Sequence, residues 1–199
     1  MRRITQACSL ALIAALAATA FSTGAMAHPG PHAHEGVMAG LAHPLTGLDH
    51  LLAMVAVGLW AAQLGGRALW TLPLAFPVAM AAGAALGFGG MALPWVEIGI
   101  TASVLVLGAA VAAGYRPSLI VGLPLVAVFG LMHGYAHAVE LPASTTALAY
   151  SVGFVAATFA LHLVGIGLGL AMGRIQLRYG ARTAGGAIAA AGAVLLLTP

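Results

Sequence analysis

Six apolar segments, each close to the roughly 20 residues that a helix needs to cross a bilayer, follow one another between Val37 and Leu197 with only short joints between them. A chain built this way cannot clothe itself in polar surface. Hydrophobic residues make up 62% of it and charged residues 6%, and lysine is absent altogether. The expected fold class is therefore all-α, a polytopic membrane protein whose six transmembrane helices occupy residues 37–199. Hydropathy places them at about Val37–Leu64, Leu69–Gly89, Pro94–Ala113, Pro117–Ala138, Thr145–Met172 and Arg182–Leu197, with Gly and Pro at the joints. Gly83 with Gly87, and Gly165 with Gly169 and Gly173, offer small faces on which helices can pack closely. No length is left for a separate soluble domain.

The first 27 residues read as a secretory signal peptide: Arg2 and Arg3, an apolar run from Leu10 to Phe21, and a small-residue cleavage site at Ala25-Met26-Ala27. The alternative is an uncleaved first span. Cleavage would leave residues 28–36, H-P-G-P-H-A-H-E-G, as a histidine-rich tail outside the membrane. It would also remove Cys8, the only cysteine, so the mature chain would offer no disulfide and no thiolate ligand.

With the mature terminus outside, alternation assigns a side to every joint. Arg67, Arg116, Arg174, Arg178 and Arg182 all fall on the cytoplasmic side, as the positive-inside rule requires. The expected location is the bacterial inner membrane with the tail in the periplasm. The formal charge of +3 thus reports orientation and gives no sign of a nucleic-acid partner. Glu35, Asp49, Glu97 and Glu140, with seven of the eight histidines, fall on the outer surface or in the outer half of the helices. His162 alone falls in the inner half.

Two clusters carry the chemistry. In H-P-L-T-G-L-D-H, His43 and His50 share a helical face, while Asp49 points aside unless Pro44 and Gly47 kink or unwind the helix and turn it inward. In M-H-G-Y-A-H-A-V-E, His133, His137 and Glu140 follow i, i+4, i+7 spacing and stack on one face. An ionisable group at bilayer depth costs about 2.5–3.5 kcal/mol on insertion scales, so such density points to polar function. The bland alternatives are polar glue for Asp49 and His50, and interfacial solvation for His137 and Glu140. Glu97 is either a further ligand or a carboxylate favoured by a helix start. His162 is either a relay ligand or a neutral histidine bonded to a neighbouring helix. His28, His32 and His34 in the tail either capture metal or are simply solvated.

Imidazole with carboxylate and no thiolate suits Ni, Co, Zn or Cu(II). A P-loop needs a lysine, so the chain shows no ATPase of its own, and a transporter of this kind runs on gradients or membrane potential.

The stretches from His43 to Ala61 and from Met132 to Pro142 resemble the two signatures of the HupE/UreJ family of nickel and cobalt permeases, and the resemblance spans the whole mature chain. It implies uptake of Ni²⁺, in some members Co²⁺, as transported substrate and not as prosthetic group, in support of hydrogenase or urease maturation. The family's metal-handling positions fall on His43, Asp49 and His50, and on His133, His137 and Glu140. Met132 and Ala138 depart from the usual Phe and Gly of the second motif, which bears on packing and removes no ligand. The expected partners are a divalent ion and the lipid bilayer, and no catalytic residue is assigned. Two other functions compete: an intramembrane Zn-dependent hydrolase with Asp49 or Glu140 activating water, and a metal sensor or chaperone that binds without flux.

Overall fold

The computed structural model describes residues 36–141, 146–174 and 179–198, and all secondary structure among them is helical. The segments read as signal peptide and tail, with His28, His32 and His34, lie outside the described residues, as does Arg178. Seven helices follow in order: α1 (Val37–Thr46), α2 (Leu48–Leu64), α3 (Ala68–Phe88), α4 (Val96–Ala113), α5 (Leu119–Val139), α6 (Ala147–Arg174) and α7 (Gly180–Leu197). Helices α3 to α7 are each long and apolar enough to cross a membrane.

The expected first span, Val37–Leu64, is broken where Pro44 and Gly47 admit a kink or an unwound turn, and forms two helices. Between α1 and α2 the chain turns by 84° at Gly47, whose backbone is extended (φ −82°, ψ 113°). Pro44 cannot donate to the α1 ladder, and the freed end is closed locally: Gly47 N–H and the Thr46 hydroxyl both donate to the His43 carbonyl, at 3.1 and 3.0 Å. The pair passes for a sixth span only if counted as one broken element. At the start of α4 the expected boundary at Pro94 moves to Val96, because Trp95 adopts a left-handed conformation (φ 64°) that a helix cannot include.

Helix α2 is the axis of the bundle. From Ala53 to Ala61 nearly every side chain is buried, which is why its sequence is apolar all round. Around it the helices pair through glycines: α3 on α5, α4 on α7, and α1 with α2 on α6. A methyl group on Gly83 would meet the Leu131 carbonyl, and one on Gly134 the Met80 carbonyl. Gly58 faces the His162 carbonyl and Gly165 the Val55 carbonyl in the same way. Lipid offers no hydrophobic drive between helices, so such backbone-to-backbone approach is what holds them. Gly173 does not take part, since nothing lies within 4 Å of where its side chain would be. At the far end of α2, Trp60 Nε1 donates to the Tyr115 carbonyl and Gln63 Nε2 to the Val111 carbonyl, each at 2.9 Å, satisfying the exposed end of α4.

Candidate metal centre

The break at Gly47 sets His43, at the end of α1, across from His50, at the start of α2. His137 reaches the same point from the last turn of α5. The ligand nitrogens of these three lie within 4.8 Å of one another, and no other such group occurs among the described residues. Their rings stand 4.7 Å (His43 to His137), 4.6 Å (His50 to His137) and 5.6 Å (His43 to His50) apart. An imidazole nitrogen binds a first-row ion at about 2 Å, so three on one ion lie within about 4 Å of each other. A small rotation of the rings closes the difference.

Asp49 stands one bond behind this group. Its Oδ1 accepts the His50 backbone N–H at 2.8 Å and pairs with His50 Nδ1 at 2.7 Å. A carboxylate only accepts, so Nδ1 carries the proton and Nε2 keeps its lone pair for a ligand. Gly47 leaves room for this arrangement, because a side chain there would sit 3.1 Å from His50 Nδ1 and 3.2 Å from Asp49 Oδ1.

His133, one turn deeper than His137 on α5, has its ring 4.9 Å from that of His50. Its Nδ1 donates to the Phe129 carbonyl at 2.8 Å, which again leaves Nε2 as the free nitrogen. His133 is fully buried. The side-chain nitrogens His50 Nε2, His133 Nε2 and both of His137 are buried with no hydrogen-bond partner. Each orphaned group costs about 1–3 kcal/mol, a cost that an ion accepting those lone pairs would offset.

Glu140 does not join the three nitrogens. It lies exposed beyond the end of α5, its N–H closing the helix on the Ala136 carbonyl at 2.9 Å. Glu97, also exposed, is in the first turn of α4, and the joint before it is tied to α5 where the Leu93 N–H donates to the Tyr135 hydroxyl at 3.2 Å. Partial desolvation against the helix end first, and then the negative charge of Glu97, raise the Glu140 carboxyl above its ordinary range. His162 is separate from the cluster and fully buried, and the Phe76 ring neighbours both it and His133.

Sequence reasoning named the histidines and missed the aromatic wall around them. The Phe154 ring is 3.9 Å from that of His137, and Tyr150 is 6.1 Å from His43. Their i, i+4 spacing on the outer half of α6 was the available signal. A cleft of about 270 Å³ bordered by Met80, Phe88, Tyr150 and Phe154 reaches His137. At the opposite end of α2, Gln63, Arg116, Met172 and Arg182 line a larger cavity of about 400 Å³.

A family model described as HupE / UreJ protein matches residues 16–195. The chain belongs to the HupE/UreJ family. It is 48% identical over 188 residues to Protein HupE of Rhizobium leguminosarum bv. viciae, covering 92% of this chain and 95% of that protein. No solved structure matches it. Membership of HupE/UreJ together with the apolar helices makes this a multi-pass membrane protein of a transporter type.

Proposed function

We propose that this HupE/UreJ chain is a secondary permease for Ni²⁺, with Co²⁺ as the nearest competing substrate, and that it carries the ion inward across the bacterial inner membrane. The observation that carries the reading is the convergence of His43, His50 and His137, with the neutral tautomer of His50 fixed by Asp49. Imidazole donors without thiolate match the preferences of both ions. The outer carboxylates Glu97 and Glu140, and in the tail His28, His32 and His34, gather the cation at the periplasmic face. It then loses part of its water to the three nitrogens. Delivery to hydrogenase or urease maturation follows from the same family reading.

The hydrolase reading fits less well, because it needs a carboxylate free to activate water. Asp49 is committed to His50, and Glu140 stands outside the histidine group. Uptake of ⁶³Ni²⁺ into proteoliposomes tests the proposal. The native chain is expected to accumulate the ion, and His43→Ala to abolish that accumulation. Equal uptake by the two would remove the site from the pathway.

A further inference from the structure

Below the three-histidine group, the interior holds a second set of unpartnered polar atoms. His162 and Thr158 are one turn apart on α6, both with no solvent exposure. Neither ring nitrogen of His162 makes a well-formed hydrogen bond, and the Thr158 hydroxyl has no partner. The third member comes from α3, where residue 77 is proline and cannot donate to the Pro73 carbonyl four residues earlier. That freed carbonyl lies within hydrogen-bonding reach of the His162 ring. Phe76, itself fully buried, neighbours both sets, its ring 5.2 Å from His133 and 5.5 Å from His162.

We infer that His162, Thr158 and the Pro73 carbonyl form a second, inner divalent-cation station, with the Phe76 ring neighbouring both it and the outer histidines. The inference rests on the permease reading for its role but not for its existence. Helix α6 contributes an imidazole and a hydroxyl one turn apart and α3 the carbonyl that Pro77 leaves without its helical donor, and packing alone gives no reason to leave the imidazole and the hydroxyl without well-formed hydrogen bonds in an apolar core. His162 is level with Gly58 on α2, eight residues past His50 and so about 12 Å further along the axis at 1.5 Å per residue. One nitrogen with two neutral oxygens binds a borderline ion more weakly than three nitrogens do. A cation passing inward therefore moves from a strong site to a weak one, which is what release on the far side demands. Seven residues further along α6, Gly169 borders the basic cavity, so the inner station stands between the outer cluster and an opening at the other end.

The test is a count of bound Co²⁺ or Ni²⁺ on the purified full-length chain, carried to saturation, beside uptake by the same chains in liposomes. His162→Gln keeps the size and polarity of the side chain and is expected to bind one ion fewer than the native chain. The histidine tail is common to both and cancels. His43→Ala with His137→Ala is expected to lose a different ion, so that the losses add. In transport, His162→Gln should lower the maximal uptake rate at least tenfold and leave the half-saturating concentration unchanged.

Pro77→Ala offers a second approach, since it removes no ligand and instead supplies an N–H to occupy the Pro73 carbonyl. It is expected to weaken the inner site selectively. Equal ion counts for native and His162→Gln chains, or uptake that neither variant slows, would overturn the inner station while leaving the permease reading intact. Loss of one ion in a chain that moves no metal would do the reverse.

Discussion

A carboxylate that never touches an ion can still decide how tightly the ion is held. Asp49 fixes the tautomer and the orientation of His50 through one 2.7 Å contact, and partners of this kind are typically worth 10- to 100-fold in metal affinity. Asp49→Asn keeps an oxygen for the Nδ1 proton and loses the charge, so the half-saturating Ni²⁺ concentration for uptake is expected to rise by about that factor. An unchanged value would make Asp49 a bystander. Glu140 gives a second residue-scale prediction. Its raised carboxyl takes up a proton at higher pH than an ordinary glutamate as the medium is acidified, and a protonated acid attracts no cation. Glu97→Gln removes the repulsive part of that elevation, so Glu140 stays ionised to lower pH. The acid limb of the uptake profile is expected to shift downward in Glu97→Gln even though its plateau falls, and an unshifted limb would show that the two carboxylates do not interact. The histidines that come together were legible as candidates from type and spacing alone, since buried imidazoles among apolar neighbours have few bland explanations. The division of labour was not. Nothing in the spacing of Asp49 and His50 says which joins the histidine group and which stands behind it, because that depends on the turn at Gly47.

At the scale of elements, the broken first span and the glycine seams do most to place the site. Pro44 and Gly47 announced the possibility of a break, but not an 84° turn, because a missing donor permits a bend without setting its size. The size follows from α1 packing along α6, where Gly40 meets the Tyr150 carbonyl and Gly153 the Val37 carbonyl. Helix positions were legible because each span is a long apolar run. Which helices pair was not, because an apolar run looks alike on every face and only small residues mark the contacts. Gly47→Ala puts a methyl group against the Asp49–His50 pair, tighter than ordinary contact, and is expected to weaken metal binding with little loss of fold. Gly134→Ala acts on the seam instead, driving a Cβ into the Met80 backbone. Over-packing of this kind costs about 1–3 kcal/mol, so thermal unfolding in detergent is expected several degrees lower, together with weaker binding at His133 and His137 on the same helix. Unchanged melting would mean that α3 and α5 are free to slide apart.

Across the whole molecule the charges are sorted by end. Asp49, Glu97 and Glu140 stand at the end of the bundle that carries the three histidines, and Arg67, Arg116, Arg174 and Arg182 lie at or beside helix ends on the other side. The four acidic residues of the sequence are Glu35 and these three, so under the permease proposal the inner half of the bundle has no acidic side chain to carry a compensating proton. A divalent cation moving inward without such exchange carries two charges through the field, which contributes about 4.6 kcal/mol per 100 mV, twice the figure for one charge. Uptake is therefore expected to be electrogenic. In proteoliposomes, a potassium diffusion potential negative inside should accelerate ⁶³Ni²⁺ entry, and one positive inside should suppress it, with the accumulation ratio at steady state following two charges per ion. A rate and a ratio indifferent to voltage would mean that two protons leave for each ion taken up.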